Sequence, residues 1–182
     1  CDVGAFQYQT MSAISGTTPQ SANINTAFTN ALAVKVTDAS SNPIPGVSVT
    51  FTAPVSGASA TPVSNPVATN ASGIASTSAT ANSTLGAYTV AASTVGLSTV
   101  NFSLTNLPPL PSVGNISPSS GPSTSSVSVV ITGTHFTGAT AVQFSGSNAT
   151  SFTVDSDTQI TAMTPVHPPG LVVLYQWSSS TL

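Results

Sequence analysis

Charge is what this 182-residue chain lacks most: one lysine, Lys35, stands against Asp2, Asp38, Asp155 and Asp157, with no Arg and no Glu. Charged residues make up 3% of the chain, about a tenth of the density of an ordinary soluble domain. A single lysine cannot neutralise a row of phosphates, which excludes nucleic acid as a partner. Nor can it furnish the basic face of a membrane-surface helix. The longest unbroken apolar run, Leu171 to Tyr175, falls far short of the roughly 20 residues a membrane-spanning helix needs. Coiled coils and long exposed helices are excluded as well, because they are built from the Glu, Lys and Arg that are missing. Cysteine occurs once, as Cys1, so no internal disulfide is available.

What is present is Ser and Thr, roughly a third of all residues, interleaved with Ala, Val, Gly and Pro, a bias far from average usage. Hydrophobic residues reach 40%, which argues against disorder, because disordered chains combine low hydrophobicity with high net charge. The larger apolar residues are mainly Val, Phe and Ile, suited to pleated, half-buried strands. Their spacing agrees. Leu32, Val34 and Val36 alternate with Ala33 and Lys35; Val47, Val49 and Phe51 alternate with Ser48 and Thr50; Tyr88, Val90 and Ala92 share a face, as do Val100, Phe102 and Leu104. Turn clusters punctuate these runs at Asp38-Ala39-Ser40-Ser41-Asn42-Pro43 and Asn70-Ala71-Ser72-Gly73, and Ile74 to Thr80 is a weaker candidate strand. The run Asn106-Leu107-Pro108-Pro109-Leu110-Pro111 removes ladder donors and favours extended polyproline geometry, a semi-rigid joint. Strand rhythm resumes over Val113–Ile116, Val127–Thr132, Ala141–Phe144, Phe152–Val154, Ile160–Met163 and Leu171–Trp177. The expectation is an all-β protein of two antiparallel sandwiches and almost no helix.

These residues also carry two resemblances. Ser15-Gly16-Thr17-Thr18-Pro19, Asn25-Thr26-Ala27-Phe28, Val34-Lys35-Val36-Thr37-Asp38, Pro45-Gly46-Val47-Ser48-Val49-Thr50-Phe51, Asn70-Ala71-Ser72-Gly73-Ile74-Ala75 and Gly86-Ala87-Tyr88-Thr89-Val90 resemble the bacterial Ig-like (Big) repeats of invasin-type stalks. The second half is similar to IPT/TIG domains, through Ile116-Ser117-Pro118-Ser119-Ser120-Gly121-Pro122, Ile131-Thr132-Gly133-Thr134-His135-Phe136 and Thr158-Gln159-Ile160-Thr161-Ala162-Met163-Thr164-Pro165. His135 stands where that family more often has Asn. The resemblances imply two tandem immunoglobulin-like β-sandwiches: a lead segment 1–9, a Big-like domain 10–105, a linker 106–111 and an IPT/TIG-like domain 112–182. They also imply that the second domain is one strand short, or that the chain is cut, because only Ser178 to Leu182 follow Leu171–Trp177. A sheet left open in this way would invite pairing with a second copy or with neighbouring Ig-like repeats through an exposed edge strand.

Candidate functional residues are few. Cys1 is either an incidental terminal residue or the lipidated first residue of a processed lipoprotein. Tyr8, Tyr175 and Trp177 are the aromatics free enough to stack on a sugar ring, and Tyr175 and Trp177 share one face of their strand. Surface glycans are therefore a candidate partner, although packing of that pair is the plainer reading. His135 and His167 with Asp155 and Asp157 offer the elements of a hydrolytic relay, but no G-x-S-x-G elbow occurs and a triad is defined by geometry. His135 reads as a turn residue before Phe136, and His167 as part of a proline-rich loop. Asp155-Ser156-Asp157 falls short of zinc or calcium ligand spacing, so no metal or cofactor is expected. The five Asn-x-Ser/Thr sequons, at Asn70, Asn82, Asn101, Asn115 and Asn148, follow from Ser/Thr abundance. The resulting reading is a non-catalytic stalk, spacer or fibre segment of a secreted or cell-surface bacterial protein. A glycan-binding accessory module and a small hydrolase with an unrecognised site are the rivals.

Overall fold

A computed structural model describes residues 9–166. The chain divides into two compact units, with the boundary between Pro108 and Pro109. Both are built of strands, and no helix occurs among the described residues.

Unit 1 contains β1 (Thr10–Ala13), β2 (Gln20–Asn23), β3 (Leu32–Thr37), β4 (Ser48–Thr52), β5 (Ala60–Pro62), β6 (Val67–Ala68), β7 (Ile74–Thr77), β8 (Ala79–Ala81), β9 (Gly86–Ser93) and β10 (Val100–Leu107). A three-stranded sheet, β1-β3-β7, and a five-stranded sheet, β2-β10-β9-β4-β6, enclose the core, with β5 and β8 forming a separate pair. The period-two runs fall inward: Leu32, Val34, Val36, Val49, Phe51, Val90, Ala92, Phe102 and Leu104 are all buried. At its centre the Phe51 and Phe102 rings tilt against each other at 48° with centroids 6.0 Å apart, within the range aromatic pairs favour. This is an Ig-like sandwich.

The first strand of this sandwich is split between the two sheets. β1 pairs antiparallel with β3, whereas β2 pairs parallel with β10. Gly16, at φ 80°, allows the crossing, since that left-handed backbone suits glycine. Side chains then fasten it. Thr17 donates its hydroxyl to the Ile14 carbonyl at 2.7 Å. The Gln20 amide donates to the Thr17 and Asn30 carbonyls and accepts from the Asn30 N–H.

The two turn clusters work by side-chain capture of backbone N–H groups, as expected of Asx residues. Asp38 Oδ1 accepts from Ser40 and Asn42, and Asn70 Oδ1 accepts from Ser72 and Ile74. Gly73 has φ 73°, and a Cβ there would also collide with the Val36 carbonyl oxygen. Along β4, the two residues of β6 cover only Ser48 and Val49. The ladder is continued by a side chain: the Asn65 amide accepts from Phe51 N–H at 2.8 Å and donates to Phe51 C=O at 2.7 Å.

Unit 2 contains β11 (Ser112–Ser117), β12 (Ser128–Thr134), β13 (Gln143–Phe144), β14 (Ser147–Asn148), β15 (Ser151–Ser156) and β16 (Gln159–Met163). Four of these form an antiparallel sheet in the order β11-β12-β16-β15, and β13-β14 is a separate hairpin. Val129, Ile131, Ile160 and Ala162 are buried together with Phe136, Val142 and Phe144. Gly133 is required by contact, because a Cβ there would meet the Ser112 carbonyl and the Phe136 ring.

The structure corrects several expectations. Asn106 and Leu107 belong to β10, not to the linker 106–111, because Asn106 is buried and hydrogen-bonded within unit 1. The candidate strand Ile74 to Thr80 is two strands in two sheets, broken at Ser78. Of Ala141 to Phe144 only Gln143 and Phe144 are strand. Leu171–Trp177, on which the expectation of an open sheet rests, lies outside the described residues.

Candidate functional site

Two places gather the polar groups from which chemistry could be built. The first is the corner between β12 and Phe136. His135 has φ 59°, a left-handed conformation in which Asn, Asp and His are enriched among non-glycine residues. That explains why a position more often Asn in similar sequences accepts histidine. The corner is closed from the β15–β16 turn: Phe136 N–H donates to the Asp157 carbonyl at 2.9 Å, and Thr137 N–H donates to Asp157 Oδ1 at 3.2 Å. Bonds from Thr137, side chain first and backbone next, hold the Asp157 carboxyl below its usual value, with smaller help from the backbone and charge of His135.

Asp155 is similarly committed. Its Oδ2 accepts from the Thr161 hydroxyl at 2.7 Å and from the Gln159 amide at 3.1 Å. Those bonds, Thr161 first, lower its pKa. His135, Asp155 and Asp157 are all exposed, not held in a desolvated cleft of the kind that tunes catalytic groups. Among the described residues no three His, Cys, Asp or Glu side chains converge. The geometry is that of turn and strand fastening.

The second place lies in unit 1 and was not legible as a site. Asn106 is 2% exposed, and its Nδ2 donates to Ser59 C=O at 3.1 Å, Asn82 Oδ1 at 2.9 Å and Thr84 C=O at 3.0 Å. Its Oδ1 accepts the Tyr88 hydroxyl at 3.0 Å. Burial pushes the Tyr88 pKa up to about 12. Asn82 extends the network, taking Ser59 N–H and donating to Gly57 C=O. Every buried side-chain nitrogen and oxygen among the described residues is satisfied. The network ties the end of β10 to the loops before β5 and β9.

The outer face of the five-stranded sheet presents Thr50, Thr52, Thr89, Asn101 and Ser103, all exposed and uncharged. Large apolar side chains reach solvent mainly at loops, as with Val55, Leu85 and Val95. The glycan-stacking candidates Tyr8, Tyr175 and Trp177, the lipidation candidate Cys1 and His167 lie outside the described residues. No helix among the described residues is long and apolar enough to cross a membrane.

Residues 111–175, a stretch within unit 2, match the IPT/TIG domain family. No curated protein matches the chain in sequence. Among solved structures, the chain is similar to the Escherichia coli adhesin FdeC, at 16% identity and TM-score 0.47, covering 86% of this chain and 55% of that one. It is similar to invasin, a bacterial integrin-binding protein, at 20% identity and TM-score 0.44, covering 91% and 35%. It is also similar to domains 4–9 of the surface layer protein SbsC, at 14% identity and TM-score 0.42, covering 85% and 26%. The chain thus spans about half or less of those chains. Likenesses this distant carry no function from one protein to another.

Proposed function

We propose that the chain is a non-catalytic spacer or stalk segment of a secreted or cell-surface bacterial protein, a Big-like unit followed by an IPT/TIG-like one. The observation that carries this reading is the path of the backbone through unit 1. Thr10 of β1 lies beside Thr37, at the end of β3 from which the chain turns back towards β4. Thr50 to Thr52 of β4 run antiparallel to Ala91–Ser93, so the start of β4 points towards the end of β9, where β10 begins. Asn23, at the close of β2, lies beside Leu107, at the close of β10. The chain therefore enters unit 1 at one end and leaves it at the other, as a bead must if it is to add length. The charge-poor Ser/Thr surface supports the same reading, because it steers no charged ligand.

Two finer proposals accompany it. Self-association would use the edge of the four-stranded sheet at β15, which pairs only with β16 among the described residues; analytical ultracentrifugation showing a monomer at all concentrations would remove it. Surface glycans remain the partner that Tyr8, Tyr175 and Trp177 would serve, and glycan-array binding lost on their substitution tests that.

The spacer reading is tested by displaying the chain once, twice and not at all between a cell-surface anchor and a terminal tag. Access of a bulky antibody to the tag should rise with copy number. Access independent of copy number, or turnover of a substrate by the purified chain, would contradict it.

A further inference from the structure

Composition supplies the five Asn-x-Ser/Thr sequons, but the fold treats them unequally. Asn101, Asn115 and Asn148 stand within β10, β11 and β14, with their backbones paired to Ala91, Thr132 and Gln143. A transferase must wrap the acceptor segment to reach the amide and the hydroxyl two residues on. It cannot bend a laddered strand without breaking those pairs, which is why a used sequon belongs on a surface loop. Asn70 and Asn82 are the two that lie between strands.

These two differ at the atom a sugar would take. Asn82 is half-buried, and its Nδ2 donates to Gly57 C=O at 2.8 Å. Its Oδ1 accepts from Ser59 N–H, Thr84 N–H and Asn106 Nδ2. A bulky sugar on that nitrogen would have to be housed between Asn82 and the loop before β5, which these bonds draw together. Asn70 is arranged the other way. Its Oδ1 accepts Ser72 N–H at 2.9 Å and Ile74 N–H at 3.1 Å, and its C=O accepts Gly73 N–H at 2.8 Å. The two ends of a planar amide diverge, so an Oδ1 held against the turn sends Nδ2 away from it. Asn70, Ala71 and Ser72 are all exposed, and Asn70 Nδ2 has no hydrogen-bond partner among the described residues. A sugar on Nδ2 leaves Oδ1 an acceptor, so the turn survives the modification.

We propose that Asn70 is an N-glycan acceptor of unit 1 and that the fold bars Asn82 from the same role. The donor is a glycosyl diphosphate, carried by a nucleoside or by a polyprenol, and a transferase supplies the base. Asn70 Nδ2 bonds to the anomeric carbon, the bond from that carbon to the diphosphate oxygen breaks, and the diphosphate leaves with its electron pair. The amide proton passes to the base of the transferase. The site does not depend on the spacer reading.

The test offers the folded full chain, beside synthetic peptides spanning Asn70 and Asn82, to transferases whose sole requirement is Asn-x-Ser/Thr. One arm uses a polyprenyl-diphosphate oligosaccharide and the other a nucleoside-diphosphate hexose; peptide mass spectrometry reads each sequon. Both peptides should be modified, whereas in the folded chain the sugar mass should appear at Asn70 and not at Asn82, and the arm in which it appears identifies the donor. Ser72→Ala removes the sequon hydroxyl but keeps the Ser72 N–H bond to Asn70; it should abolish the mass gain with an unchanged melting temperature, and Ser72→Thr should retain the gain. In protein recovered from its natural source, the Asn70 peptide should carry a sugar that an amidase removes to leave aspartate. A bare Asn70 in that material, a folded chain left unmodified at Asn70 in both arms while its peptide is modified, or Asn82 filled as fast as Asn70 would each overturn the proposal.

Discussion

Unit 1 and unit 2 are both strand-built, yet among the described residues different elements face their cores. In unit 1 two multi-stranded sheets face each other, and the core is strand against strand, centred on Phe51 and Phe102. In unit 2 the described residues form one four-stranded sheet, whose buried row Val129, Ile131, Ile160 and Ala162 is covered by loop and hairpin residues Phe136, Val142 and Phe144. Among the described residues, then, the period-two row of unit 2 meets two aromatic rings and a valine from loop and hairpin positions, where that of unit 1 meets a second patterned sheet. The seating of Phe136 in unit 2 depends on the close approach of its ring to Gly133.

The comparison can be broken most forcefully at the centre of unit 1. Phe102→Ala removes one of two rings in a fully buried pair and should cost unit 1 about 3–5 kcal/mol. In calorimetry of the whole chain this lowers one transition and leaves the transition of unit 2 in place. A shift of both transitions together would mean that the two cores are not separate. Next in size is Asn106→Ala, which leaves the Tyr88 hydroxyl and three acceptors without their shared partner. A loss of about 1–3 kcal/mol, confined to unit 1, is expected from unsatisfied buried groups. For unit 2, Gly133→Ala forces a methyl into the Ser112 carbonyl and the Phe136 ring, and overpacking of this kind costs about 1–3 kcal/mol. Denaturant unfolding followed by amide signals of β11 and β12 measures it.

The smallest expected effects separate the units by pH. Asp155 and Asp157 in unit 2 and Asp38 in unit 1 have pKa values lowered from the ordinary 3.8, Asp38 chiefly by the Asn42 side chain. A depressed carboxyl contributes stability that is complete above its unfolded value and is lost as pH falls through the folded one. Acid below about pH 4 should therefore weaken unit 2, with two such groups, more than unit 1, with one. At the alkaline side the order reverses. Tyr88 rises from 10.0 to about 12, so its neutral, bonded form contributes stability below the unfolded value that is lost as pH climbs from 10.0 towards 12. Paired melting scans at low and high pH check both directions.

The long alternating runs were legible because each strand buries one face, which imposes period two on the sequence. β3, β4, β9, β10, β12 and β16 all carry that mark. β5, β6 and β14 do not, since two or three residues are too few to show a period and their strand form is conferred by the neighbour they pair with. Asn106 was hidden for a related reason. Its three prolines downstream mark a joint, while its partners lie 18 to 47 residues away and leave no local signature. His135 was legible as a turn residue, and its φ of 59° supplies the reason. Ser and Thr abundance, by contrast, blunted any reading of catalytic hydroxyls, because only geometry distinguishes one serine from another.

The most direct test of the account's central structural claim, that the first strand of unit 1 crosses between its sheets and docks on β10 as part of the core, is native-state amide exchange of the whole chain. Ile24 and Ser103 N–H groups should exchange only with global opening of unit 1, alongside Val90 and Phe102 at its core. Exchange of Ile24 and Ser103 at the faster rate of the loop amides would contradict it.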